Sequence, residues 1–386
     1  MVTKRRRVGL LFGNNPQWIG GTYYMMNLVS ALCTLPDDQQ PVLIILTNTP
    51  EEFGMMKGTG YPYLEQLQEA VHYTFPDRII NKFSRALTGK NWINKKYKDD
   101  QFDFVFPFYN SYSISSITKR LYWIPDFQVN YYPQFFSASE KNARIQNNLQ
   151  IAESIYPVVF SSDDSRNDFF KFYPINQKDR KTYVIRFAVS HPDYQSLDRK
   201  TINAKFGIEG PYFFCPNQFW IHKNQILVLK ALGVLKRKGI NMLVVFTGKE
   251  NDPRNPDYFA QLKAMAAEFN IESNIRFLGF IDRKDQLKLM EGSLAVIQPS
   301  LFEGWSTVVE DAKAMNQFVI LSDIPVHREQ MVENVSFFDP SKETELAQKM
   351  IEFWNVPTVK KKSDYQHNIR KFATDFMDIL NTTPCH

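Results

Sequence analysis

The chain has 386 residues, 44% hydrophobic and 23% charged, which fits a globular protein long enough for two cores. Its three cysteines, Cys33, Cys215 and Cys385, stand far apart in no ligand spacing, which excludes a disulfide framework or a zinc site and fits a reducing compartment. The formal charge of +5 lies wholly in the first half: residues 1–190 carry 22 Lys and Arg against 17 Asp and Glu, and residues 191–386 carry 24 against 24.

The N-terminus, MVTKRRRVGLLFGNNP, opens on a basic cluster of Lys4, Arg5, Arg6 and Arg7. The apolar stretch that follows is too short and too soon broken for a signal peptide. No run of about 18 apolar residues occurs, so no membrane span is expected. Apolar runs of strand length alternate with amphipathic segments of helix length, the pattern of parallel sheets covered by helices. Strands are predicted at 6–13, 41–48, 102–108, 120–126, 156–162 and 182–187 in the first half. In the second they are predicted at 211–217, 241–248, 274–280, 293–300, 317–323 and 335–340. The polar stretch 190–207 divides the two sheets, giving domains of 1–190 and 191–363, and a final helical segment of roughly 364–380 has two domains to choose from. Between the second and third strands lies another basic cluster, Arg78, Lys82, Arg85, Lys90, Lys95, Lys96 and Lys98, interleaved with Phe83, Trp92 and Ile93. Such a cluster reads either as a solvated basic face or, since basic residues among apolar wedges hold lipid surfaces, as a peripheral contact with an anionic membrane or a lipid-pyrophosphate acceptor. No nucleic-acid-binding motif accompanies them.

Three strand-to-helix motifs carry the chemistry. In the first, Gly20 and Gly21 follow the first strand where a helix begins, so free N–H groups can approach a phosphate or sugar closely. The fingerprint G-x-G-x-x-G is absent, which counts against a nicotinamide dehydrogenase. The second is CPNQFWIHKNQILVLKAL (215–232), where Lys223 stands near a helix start and can set an ammonium against a diphosphate. His222 and Asn224 flank it. The third is PSLFEGWSTVVEDAKAMNQFVILSDIPVHRE (299–329). There Glu303 and Gly304 occupy a loop, backbone N–H groups from Ser306, Thr307 and Val308 open a helix, and Asp311 follows down that helix. Two carboxylates so spaced can hold two hydroxyl-bearing groups, such as a sugar and a ribose. Glu310 is the rival for the second role but is turned about 100° from Asp311. Adjacent acids at 37/38, 99/100 and 163/164 read as turns or helix starts, not as a metal site.

With Glu303, seven residues, then Asp311, the chain resembles the retaining glycosyltransferases with the Glu-x7-Glu motif (family 4-like, group 1). The glycine pair, IPDFQ (124–128), the lysine loop, FTGKE (246–250) and the run 276–304 extend the resemblance over nearly the whole chain. It implies a GT-B fold: α/β, two Rossmann-like domains facing across a cleft, with the C-terminal helix (about 364–386) crossing back to the first. The nucleotide sugar, UDP- or GDP-linked, is then held mainly by the second domain and the glycan or lipid-linked acceptor by the first. The expected donor-site residues are Gly20, Gly21, Asn217, Lys223, Gly248, Phe280, Ile281, Glu303, Gly304, Ser306, Thr307, Val308 and Asp311. Glu303 is expected to orient the sugar, Asp311 the ribose, and backbone at Phe280 and Ile281 the base, with Asp126 and Gln128 near the acceptor or transferred sugar. Front-face attack, in which the leaving phosphate takes the acceptor's proton, needs no protein base, and neither a metal nor a bound cofactor is expected.

Four positions depart from the family pattern. Asn217 stands where an arginine is usual, so Arg186 or another cation is expected to supply the charge. Asp311 replaces the second glutamate, and Val129 and Asn130 stand where a histidine is common. A sugar-nucleotide epimerase, a phosphorylase and a catalytically silent scaffold are the other classes open to this fold.

Overall fold

All twelve apolar runs form strands, and among the described residues the polar edge segment Leu64–Leu67 adds a thirteenth. The computed structural model describes residues 5–14, 19–47, 49–67, 75–88, 92–93, 102–108, 120–174, 181–355 and 359–382. The first sheet contains β1 (Arg7–Leu11), β2 (Val42–Leu46), β3 (Leu64–Leu67), β4 (Phe104–Phe108), β5 (Arg120–Ile124), β6 (Val158–Phe160) and β7 (Thr182–Val184). Its spatial order is β3-β2-β1-β4-β5-β6-β7, and all neighbours run parallel. The second contains β8 (Tyr212–Pro216), β9 (Leu243–Thr247), β10 (Ile275–Phe277), β11 (Val296–Gln298), β12 (Val319–Ser322) and β13 (Val335–Phe338). Its order, β10-β9-β8-β11-β12-β13, is again parallel. In each sheet the order reverses beside the first strand, and that switch point is where an open α/β sheet leaves a crevice beyond its carboxyl edge.

Helices cover both faces, so side chains alternate between two cores along each strand. Val8 and Leu10 of β1 enter one core with Leu28 and Val29 of the Ile19–Leu32 helix, while Leu11 enters the other with Val105 and Tyr122. The chain leaves the first sheet through Ile185, Phe187, Ala188 and Val189, which are still packed in that first core. It returns at Tyr365, and the Gln366–Thr382 helix lays Ile369, Phe372, Phe376 and Leu380 into the same core against the Ile19–Leu32 helix. Tyr24 is the hub there, stacked on Trp123 at 4.1 Å and edge-on to Phe187 and Phe372 at 5.6 Å each.

The Phe75–Thr88 helix is turned inside out. Its polar Asn81 and Ser84 are buried and bond the backbone of Trp92 and Ile93. Its apolar Phe75, Phe83 and Leu87 are 76%, 65% and 74% exposed, beside exposed Arg78 and Lys82. Lys4, Lys90, Lys95, Lys96, Lys98 and Cys385 lie outside the described residues, as does the 99/100 pair. Among the described residues no helix is long and apolar enough to cross a membrane.

Candidate functional site

The loops at the two switch points face one another across a cleft of about 690 Å³. Gly20, Tyr24, Pro125, Asp126, Gln128 and Arg144 line it from the first sheet's side; Asn217, Trp220, Lys223, Arg254, Glu303, Gly304, Ser306, Thr307 and Val308 line it from the second.

Lys223 ends a single 3-10 turn, Ile221–Lys223, one residue before the Gln225–Arg237 helix. Asn224 between them takes the left-handed backbone (φ 57°), and its side chain donates to the carbonyls of Pro299 and Pro340 at 3.1 and 3.0 Å. That anchor fixes the turn so that Lys223 Nζ lies 2.6 Å from Glu303 Oε1. Gln298, at the end of β11, is the hidden centre of the site. It donates to Glu303 Oε1 at 2.9 Å and Ser306 Oγ at 3.2 Å, and accepts from Asn217 Nδ2 at 2.6 Å. Asn217 therefore serves the hydrogen-bond lattice under Glu303 and brings no charge of its own. Gly248, φ 144°, lets β9 pass this loop: a Cβ there would lie 2.2 Å from the Asn217 carbonyl oxygen.

Charge at the cleft comes from elsewhere than expected. Arg186, expected to make up for Asn217, is committed to Asp163 and to Glu329 at 2.7 Å and is absent from the cleft lining. Arg254 lines it, over the rings of Trp220 at 4.9 Å and Phe136 at 5.1 Å, with Arg144 on Phe136 at 5.1 Å from the opposite domain. Burial, with Lys223 and Arg254 nearby, drives the pKa of His222 well down, so this histidine is neutral.

Ser306 caps the Thr307–Ala314 helix, its hydroxyl accepting from Val309 N at 3.4 Å. Its own N–H, expected to face the loop, is instead taken by Gln330 Oε1 at 3.1 Å. Thr307 and Val308, whose first-turn N–H groups have no acceptor within the helix, line the cleft. Asp311 stands one turn further in, 1% exposed and away from the cleft lining. Its Oδ1 accepts from Arg283 and, at 3.0 Å, meets His191 Nε2. Burial alone would raise its pKa, but Arg283 and His191 outweigh burial and hold it below the usual range. Glu310 points away, into contact with Tyr365 and Gln330.

On the first sheet's side Asp126 Oδ1 accepts from Gln128 N at 2.9 Å, capping the turn after β5. Gln128 Nε2 is buried and has no hydrogen-bond partner among the described residues, while Gln128 lines the cleft. Pro125 and Asp126 abut Gly304: a Cβ on that glycine would lie 2.0 Å from the Pro125 carbonyl oxygen. Gly21 is buried behind Gly20, and Phe280 and Ile281 lie outside the cleft lining, Phe280 exposed and Ile281 partly packed against the second core. Among the described residues no cluster of three His, Cys, Asp or Glu has the arrangement of a metal site.

Residues 198–372 match the family described as glycosyl transferases group 1. The matched segment contains Lys223, Glu303 and Asp311. The chain is 26% identical over 171 residues to the O-antigen chain mannosyltransferase RfbU of Salmonella typhimurium, a match covering 44% of this chain and 46% of that protein. It thus spans about half the length of the curated relatives it matches. Two solved structures share the architecture from end to end. A glycosyltransferase from Rickettsia africae superposes with a TM-score of 0.66 at 15% identity, over 98% of each chain. Anabaena Alr3699/HepE, solved in complex with UDP and glucose, superposes with a TM-score of 0.62 at 14% identity, over 98% of this chain and 95% of that one. The fold is GT-B, with the C-terminal helix returned to the first sheet.

Proposed function

We propose that the chain is a glycosyltransferase that moves a sugar from a UDP- or GDP-linked donor to a glycan or lipid-linked glycan acceptor, retaining anomeric configuration and using no metal. The observation that carries this reading is the Lys223–Glu303 pair at 2.6 Å, set in the cleft beside the first turn of the Thr307–Ala314 helix. Breaking an anomeric bond to a diphosphate leaves positive charge on the sugar ring and negative charge on the phosphate. In this reading Lys223 and the N–H groups of Thr307 and Val308 meet the growing negative charge, with the turn at Gly20 opposite. Arg254, on the cleft wall and held there by Asp252 at 3.4 Å, adds the second cation that Asn217 does not supply. Glu303 orients the sugar, while Asp126 and the unpartnered Gln128 amide serve the acceptor or the transferred sugar. Asp311, buried behind the cleft lining, meets the ribose through Oδ2, the oxygen left over by Arg283 and His191, once the entering donor uncovers it. The departing phosphate takes the acceptor's proton on the face where the acceptor attacks. Contact of Gly304 with Pro125 supports a closed state that keeps water from the sugar.

Similarity to an O-antigen mannosyltransferase supports a role in cell-surface polysaccharide synthesis. The outward ridge of Phe75, Phe83 and Leu87 with Arg78 and Lys82 supports docking of the first domain on an anionic membrane, at its cytoplasmic face. A second reading, a silent GT-B scaffold, is favoured by Asn217 tied to Gln298 and by Arg283 seated on Asp311. A panel of UDP- and GDP-sugars separates the two, because slow donor hydrolysis is expected of the enzyme and none of a scaffold. With the active donor, turnover should survive chelation of divalent cations, and NMR of the product should show the donor's own anomeric configuration. Strict dependence on Mg²⁺ or Mn²⁺, or an inverted linkage, overturns the mechanism.

A further inference from the structure

The chain passes between the two domains twice, and both passages meet at one hydroxyl. On the outward passage the Val189 N–H donates to Tyr365 Oη at 3.1 Å. Tyr365 itself belongs to the returning passage, just before the Gln366–Thr382 helix. Its hydroxyl donates to Glu310 Oε2, and Glu310 Oε1 accepts from Gln330 Nε2 at 3.0 Å. The Gln330 amide closes the relay on the cleft: it accepts from the Ser306 N–H at 3.1 Å and donates to the Ser306 carbonyl at 2.8 Å. Ser306 shares Gln298 with Glu303. Every member from Ser306 to Val189 is at most 7% exposed. A parallel tie runs beside it, from Trp305 Nε1 to the Phe187 carbonyl at 3.2 Å, and Asn27 Oδ1 accepts from Ser190 N at 2.9 Å.

This arrangement is more than packing. Glu310 is a carboxylate buried where a leucine would cost less, and burial raises its pKa against the pull of Lys313, Tyr365 and Gln330. Five hydrogen bonds join Ser306, beside the loop that bears Glu303, to the Val189 peptide on the outward passage between the domains. We propose that Glu310 and Tyr365 are positioning residues that couple the domain hinge at Val189 to the donor loop at Glu303–Ser306, so that closing the domains and setting the loop are one event. The proposal rests on the donor-site reading above, and Glu310 acts through Ser306 without touching substrate.

Hydrogen exchange with UDP and GDP as probes tests the coupling. In the wild-type chain the diphosphate should slow exchange of the Ser306 amide and, at the far end of the relay, of the Val189 and Ser190 amides. Tyr365→Phe should keep the effect at Ser306 and lose it at Val189 and Ser190. On the active donor, Tyr365→Phe should lower kcat by about tenfold or more with donor KM changed less than about threefold, because the lost contact acts as the closed state forms. Glu310→Gln, which keeps the shape of the side chain, should lower kcat by a similar factor. The double variant should be no worse than either single one, the mark of residues in one chain of contacts. Slowing of Val189 exchange that survives in Tyr365→Phe, or additive losses in the double variant, overturns the proposal. A wild-type chain that binds neither diphosphate overturns the donor-site reading, and the coupling falls with it.

Discussion

Lys223 Nζ and Glu303 Oε1 lie 2.6 Å apart on the floor of the cleft, each side chain held from behind, Lys223 by the Asn224 anchor and Glu303 by Gln298. Removing either should therefore change binding and turnover differently. Lys223→Met deletes a charge-assisted bond to the diphosphate, worth about 1.5–3 kcal/mol, so calorimetry should show nucleoside diphosphate affinity falling about tenfold to a hundredfold. Glu303→Gln keeps the shape and should leave diphosphate binding nearly unchanged while kcat falls, since its contact is with the sugar. Equal loss of diphosphate affinity in both variants would remove the assignment of separate roles.

Asp311 is expected to act on stability as well as on the donor. Asp311→Asn leaves the Arg283 guanidinium without its countercharge, a loss of about 3 kcal/mol for a buried pair broken from one side. Because the folded pKa of Asp311 is depressed, its contribution is complete above the unfolded value of about 3.9 and disappears as pH falls through the folded one. Urea unfolding at pH 7 should therefore show the full deficit in Asp311→Asn. Near pH 3 the gap from wild type should narrow. Donor KM should rise by about tenfold if the ribose uses Oδ2.

A second pH effect comes from His327, fully buried between β12 and the 303–306 loop, with Nδ1 against the Ser322 carbonyl at 2.9 Å. Burial lowers its pKa to about 4. Unfolding frees it to bind a proton below about 6.5, so its share of stability is complete above that pH and is lost progressively down to about 4. The full amount is about 3 kcal/mol. Unfolding free energy of the wild type should fall between pH 7 and 5, and His327→Gln should flatten that slope. An unchanged slope would show that His327 is not the group responsible.

Docking through the Phe75–Thr88 helix predicts binding to vesicles containing anionic lipid that weakens steeply with salt. Exchanging Phe83 and Leu87 for serine should abolish it without lowering the melting temperature, since both are exposed. Arg78→Gln with Lys82→Gln should weaken it while leaving binding to neutral vesicles unchanged. Equal binding to neutral and anionic vesicles would leave Arg78 and Lys82 as ordinary solvated charges.

The sequence was most legible where physics is local. Strands such as YFFCP and LVVFT are continuous apolar runs buried on both faces, and the run itself announces them. β3 escaped because Glu65 and Gln66 interrupt it and only one of its edges is paired. Gly304 and Lys223 were legible from strand-loop-helix spacing. The partners that hold the site were not. Gln298 reads as an ordinary strand end until Asn217 is found 2.6 Å from it, and Arg254 and Arg144 reach the cleft from loops and helices remote in sequence. The Arg283–Asp311 pair was hidden for the same reason, since 28 residues separate them.

Tyr24, Trp123 and Phe372 form one aromatic cluster, and this has a consequence for synthesis. The first sheet is made first yet lacks one wall of its core until the Gln366–Thr382 helix has emerged from the ribosome. The second sheet, β8 to β13, is closed by helices of its own stretch of chain and needs nothing from downstream of Asn355 to fill its main core. The half made later should therefore mature earlier, with the apolar face near Tyr24 left open in the interval. Chaperone contact during translation should concentrate on the Ile19–Leu32 helix, and chains released before Tyr365 should carry a folded second domain on an aggregating first one.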